Sequence, residues 1–132
     1  MNRTEIEAHV RALYATFASG DADAYRRAFA DDIVWHVPGD NPVSGEYRGE
    51  AYFTTMLDRM APLDAWGITV HDVLVNERAL TAVVAFHLVG DRRGVHVELD
   101  GFHLVRLDAA GRIVEGWGFT ADQDALDAFF HA

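Results

Sequence analysis

Residues 80–107 read LTAVVAFHLVGDRRGVHVELDGFHLVRL. Two runs rich in β-branched and aromatic residues, 80–89 and 95–107, flank a turn at 90–94 that carries Gly90 and Gly94. Runs of this composition bounded by turn residues are strands, and so short a connection makes neighbours antiparallel. Side chains alternate along a strand. Val97, Leu99, Gly101, His103 and Val105 therefore share one face, and Glu98, Asp100, Phe102, Leu104 and Arg106 the other. The first face is apolar apart from His103, which suits the wall of a cavity. Val84, Phe86 and Leu88 in the preceding run face the same way.

Further runs of the same kind lie on either side. Residues 66–75 precede the pair and residues 112–120 follow it, with turns at 76–78 and 108–111. Gly116, Gly118 and Thr120 share one face of the last run, where two glycines remove bulk and leave room for a ligand. Helices dominate the first half. Over residues 3–19, Ile6, Val10, Leu13, Tyr14 and Phe17 recur at spacings of three and four, with Thr4 and Glu7 at capping-box spacing and Gly20 as the stop. Asp21 caps a second helix, 22–29, and Ala30-Asp31-Asp32 reads as a turn. Residues 33–37 form a strand ended by Pro38 and Gly39, and 40–49 an irregular loop with Pro42, Gly45 and Gly49. A third helix spans 50–60 with Phe53, Met56, Leu57 and Met60 inward, and a last one, 122–130, is capped by Asp122. Helices gathered before an antiparallel sheet make an α+β domain, here a single one over residues 1–132. Strands this long twist and curl, and curling around a helix leaves a hollow.

Composition excludes several functions. The chain has 132 residues, a formal charge of −10 and no cysteine. Disulfides and thiolate chemistry are ruled out. The acidic balance and scattered basic residues argue against nucleic acid and anionic membranes as partners. No apolar run has the length of a signal core or a membrane span, so the protein is expected to be cytoplasmic. No phosphate loop, dinucleotide fingerprint or nucleophile elbow is present, and no cofactor is implied. His71, His87 and His96 fall on different strands without ligand spacing, so the sequence predicts no metal site.

The order of elements resembles the nuclear transport factor 2-like superfamily. Local strings that carry the likeness are Ser19-Gly20-Asp21, Phe29-Ala30-Asp31-Asp32, Gly45-Glu46-Tyr47-Arg48-Gly49, and Arg106-Leu107-Asp108 followed by Gly111-Arg112-Ile113. Trp35-His36-Val37-Pro38-Gly39 resembles the SnoaL-like polyketide cyclase and ketosteroid isomerase-like branch. The resemblance implies a cone-shaped, curved antiparallel (mixed) sheet wrapped around N-terminal helices, a pocket for a small apolar organic ligand, and a homodimer packed through the outer sheet face. It spans isomerases, cyclases, dehydratases and pure binding domains, so fold alone does not assign a reaction.

Expected ligand-lining residues from the helix are Tyr14 and Phe17. From the sheet they are Trp35, Val37, Phe86, Leu99, Gly116 and Thr120. By the same resemblance, His103 falls where ketosteroid isomerases carry a protonated acid that donates to the substrate oxyanion. The general-base aspartate of those enzymes falls at Val37, and their oxyanion tyrosine near Leu13, one helical step from Tyr14. His103 is thus the first candidate for catalysis, as hydrogen-bond donor or proton donor. His36 is the second; alternation turns it away from Trp35 and Val37, while an irregularity before Pro38 would turn it inward. An enzyme of the isomerase, cyclase or dehydratase type, a non-catalytic binding module, and an assembly domain working through Phe102, Leu104, Trp117 and Phe119 are the functions in contention.

Overall fold

A computed structural model describes residues 1–132. Helix α1 runs Arg3–Ser19 and α2 Ala22–Arg27; strand β1 is Phe29–Val37 and β2 Gly45–Arg48. Helices α3, Glu50–Phe53, and α4, Thr55–Met60, precede β3 (Ala65–Asn76), β4 (Thr81–Arg92), β5 (Val95–Leu107) and β6 (Ile113–Thr120), and α5, Gln123–His131, closes the chain. The six strands form one curved, unclosed sheet in the order β2-β1-β6-β5-β4-β3. All neighbours are antiparallel except β1 and β6, which run parallel. The fold is therefore α+β with a mixed sheet, as expected.

The core lies between the concave sheet face and the helices. Ile6 and Val10 of α1 are fully buried, as are Val84 and Val105 of the sheet and Phe129 of α5. Along β4 every second residue from Ala82 to Arg92 is buried, so the period-two reading of that strand holds to its end. Arg92 is the one buried charged residue. Its guanidinium donates to the carbonyl oxygens of Met60, Ala61, Phe129 and Ala132, tying the ends of α4 and α5 to the sheet.

Several local expectations are corrected. Helix α1 is capped by Asn2, not Thr4: Asn2 Oδ1 accepts from the Glu5 amide at 2.9 Å and Glu5 Oε1 from the Asn2 amide at 3.2 Å. Glu7 instead pairs with Arg11 one turn on. Helix α2 stops at Arg27, and β1 starts at Phe29, so Ala30-Asp31-Asp32 is strand rather than turn. The acidic pair sits at a register shift between Phe29 and Val34, where two consecutive exposed residues interrupt the alternation. The loop expected at 40–49 contains β2, an edge strand on β1. Its Tyr47 is buried and its hydroxyl donates to the Val43 carbonyl at 2.6 Å.

The third helix is interrupted at Thr54, which separates α3 from α4 and whose φ of −113° is well away from the usual helical value of about −63°. Leu57, expected inward, does line the cavity but stays 45% exposed, whereas Tyr52 is buried. The hairpin turn between β4 and β5 is shorter than the five residues of 90–94. Only Arg93 and Gly94 remain outside the strands, with φ of 51° and 80°. A two-residue hairpin turn of this hand needs positive φ at both positions, and Gly94 supplies one without strain.

Candidate functional site

A cavity of about 270 Å³ opens between the helices and the concave sheet face. Leu13, Tyr14 and Phe17 of α1 form one wall, and Trp35, Val37, Phe86, Leu88 and Leu99 of the sheet the other. Tyr25 of α2, Tyr52 of α3, Met56 and Met60 of α4, and Leu126 and Phe130 of α5 complete it. Of the 27 lining residues 23 are hydrophobic, and the other four are Pro38, His103, Gly118 and Thr120. No carboxylate, lysine or arginine reaches the wall.

His103 projects into this space from β5. Its ring is held by the edge of Trp35, with centroids 4.9 Å apart and planes at 88°, and by Phe86 at 4.6 Å. Nδ1 lies 2.8 Å from the Tyr14 hydroxyl. Burial pushes the imidazole pKa down to about 3, so the ring is neutral at physiological pH. Burial, and then the neighbouring Tyr25, pushes the Tyr14 phenol up, so that hydroxyl keeps its proton. The Tyr14 hydroxyl has no other acceptor. We therefore assign the tautomer in which Tyr14 donates to Nδ1 and Nε2 carries the ring hydrogen. No protein group bonds Nε2, and no fully buried side-chain nitrogen or oxygen lacks a partner, so Nε2 must be exposed to the cavity. The result is a fixed N–H donor on a largely apolar wall.

A second polar pair lines the cavity, where the Tyr25 and Tyr52 hydroxyls are 2.6 Å apart. Both phenols are raised above the ordinary tyrosine pKa, chiefly by burial. All four titratable groups of the lining are uncharged at neutral pH. A charged guest would find no counter-ion, so the site suits a neutral molecule.

Of the residues read from the sequence, Tyr14, Phe17, Trp35, Val37, Phe86, Leu99, His103 and Thr120 all line the cavity. Two do not. His36 keeps the regular alternation of β1 and lies on the outer face, and the inward turn before Pro38 does not occur. There it donates to Glu115 Oε2 at 2.8 Å and stacks on Trp117, with centroids 5.1 Å apart and planes at 5°. Gly116 is also absent from the wall. It pairs with Trp35 across β1 and β6, and a Cβ at this position would overlap the indole. The bulk it removes makes room for Trp35, not for a ligand. Tyr25 and Tyr52 were not singled out in sequence. Tyr52, Met56 and Met60 recur at four-residue spacing, and that stripe is the signal for Tyr52; Tyr25, on a six-residue helix, carries none.

The model of the SnoaL-like domain matches residues 10–116 of this chain. The chain belongs to the SnoaL-like family. An uncharacterised protein of Mycobacterium tuberculosis is 32% identical to this SnoaL-like chain over 123 residues, covering 92% of each. Among solved structures, a Xanthomonas campestris protein of unknown function with a cystatin-like fold superposes with a TM-score of 0.84 at 28% identity, covering 98% of each chain. A nuclear transport factor 2-like protein of unknown function from Burkholderia pseudomallei gives a TM-score of 0.81 at 18% identity, covering 95% of this chain and 96% of its own. The second likeness concerns the fold alone, which is nuclear transport factor 2-like. No helix of this SnoaL-like chain is long and apolar enough to cross a membrane.

Proposed function

We propose that this SnoaL-like domain binds a small, neutral, largely apolar organic molecule carrying a carbonyl-type oxygen, with that oxygen accepting from His103 Nε2. The observation that carries this reading is the Nε2–H of His103, held in place by Tyr14 and open to a cavity with 23 hydrophobic residues in its wall. Apolar area drives such a guest in at roughly 25 cal/mol per Å² buried, and one directed donor selects its orientation. The test uses prodan, a neutral aromatic ketone whose emission shifts to the red when its carbonyl accepts a hydrogen bond. Saturable binding with a red-shifted component that disappears in His103→Leu is expected. Binding with no difference between the two proteins would remove His103 from recognition.

A second reading, isomerase, cyclase or dehydratase chemistry, is favoured by the same N–H. A donor aimed at a developing oxyanion in a dry site contributes about 2.7–4 kcal/mol to rate. The imidazole is neutral there, so its part is to donate a hydrogen bond and not a proton. With His36 on the outer face and an apolar Val37, the proton in this reading is moved by a bound water. A second copy of the chain is the partner we propose for the outer sheet face. Support comes from Phe102 and Phe119, stacked with centroids 4.6 Å apart yet 40% and 44% exposed. Light scattering at a dimer mass for the wild type, and at a monomer mass for Phe119→Ser, is the expected result.

A further inference from the structure

On the outer sheet face, away from the cavity, three adjacent strands each present one metal-ligating side chain at the same level: His71 on β3, His87 on β4 and Asp100 on β5. One ligand atom from each lies within 4.8 Å of the other two. The strand register explains why they meet. His87 pairs directly with Asp100 across β4 and β5. On the other side, Val70 pairs with Phe86 and Asp72 with Ala85, so His71 is an extra residue in β3 with no partner. Val70 and Val73 both face inward, and His71 and Asp72 between them are both exposed. A bulge re-aims a side chain in this way; here it brings the His71 ring to 6.2 Å from that of His87.

Both ring nitrogens of His87 face carboxylates. Its Nε2 lies 2.8 Å from Glu98 Oε1 and its Nδ1 2.8 Å from Asp100 Oδ1. Metal-bound histidines characteristically donate their second N–H to a carboxylate, which fixes the tautomer and orients the ring. Glu98 on Nε2 supplies that contact and leaves Nδ1 directed toward Asp100. We infer that His71, His87 and Asp100 bind a divalent ion of the zinc type, with Glu98 holding His87 in place. Two imidazole nitrogens and one carboxylate favour zinc, cobalt or nickel over calcium and magnesium, which take oxygen ligands. Three protein ligands leave a position for water. Bonds of about 2.0–2.2 Å require the three groups to draw together, which the exposed side chains of His71 and Asp100 have the rotamer freedom to do. A chain of net charge −10 further favours a cation. The site is independent of the ligand reading of the cavity.

The experiment uses the full-length chain without a histidine tag, stripped with chelator and titrated with zinc chloride by calorimetry, with melting curves before and after. One zinc per chain and a rise in melting temperature are expected. His71→Ala and Asp100→Asn should each weaken binding at least about tenfold and remove the rise, and Glu98→Gln should weaken it by about 10–100-fold. His131→Ala, on α5 and bonded to the Asp40 carbonyl at 3.0 Å, should leave the affinity unchanged. Zinc-free melting curves should remain single cooperative transitions in every variant, which shows that each one folds. An independent reading needs no variant: zinc should shift the amide NMR signals of the wild type around residues 71, 87 and 100. No zinc binding by the wild type, undiminished binding in His71→Ala and Asp100→Asn, or shifts centred elsewhere would each overturn the inference.

Discussion

The hydroxyl of Tyr14 sits 2.8 Å from Nδ1 of His103, across 89 residues of sequence. That one bond decides which ring nitrogen faces the cavity as a donor. In Tyr14→Phe the buried Nδ1 loses its partner, and the imidazole is free to take either tautomer. We expect the folded state to lose about 0.5–1.5 kcal/mol, the ordinary net worth of such a bond. The red-shifted fraction of bound prodan should fall with it. Urea unfolding and emission spectra on the same variant check both; unchanged values in the two assays would mean the bond does not orient His103.

The same imidazole predicts a pH dependence with a definite sign. Unfolded, His103 titrates near its ordinary pKa of 6.5; folded, burial holds it at about 3. Between those values the unfolded chain binds the extra proton. The His103 contribution is therefore fully present above pH 6.5, shrinks as pH falls, and is gone by pH 3. At full extent it is on the order of 4–5 kcal/mol. His103→Gln should flatten the stability profile over this window, and the wild-type ring should keep neutral nitrogen chemical shifts at pH 5. A ring that protonates near pH 6 would sink the assignment.

Trp35 and Gly116 form a single packing unit across β1 and β6. A methyl group at Gly116 overlaps the indole, which in turn supports His103 edge-on. Gly116→Ala is expected to cost about 1–3 kcal/mol through overpacking. It should also perturb tryptophan fluorescence. A variant as stable as the wild type would show that the sheet yields at this point.

Arg92 gathers four carbonyl oxygens at the ends of α4 and α5. Arg92→Met preserves much of the side-chain volume and removes every donor. A loss of about 1.5–3 kcal/mol follows if the charged hydrogen bonds act together. Hydrogen exchange should rise first in α5, the element the guanidinium anchors. Uniform exchange with unchanged stability would assign Arg92 to packing alone.

Much of this molecule is legible from local rules. Apolar runs and turn residues determine the helices and strands, and the period of two places His103 on one face of β5 and Asp100 on the other. The same period turns His36 outward, and β1 obeys it beyond the interruption at Asp31-Asp32. Local rules fail where the chain breaks its own rhythm: at the bulge of His71, at the interruption in Thr54, and at the edge strand 45–48 that its glycines disguise as a loop. They also say nothing about partners. That Tyr14 meets Nδ1, that the room left by Gly116 is filled by Trp35, and that three strands gather His71, His87 and Asp100 depends on strand register and close packing between distant segments. Periodicity sets the direction in which a side chain points. Only the assembled sheet and helices set the distance to what it meets, and distance is what hydrogen bonds, close packing and coordination require.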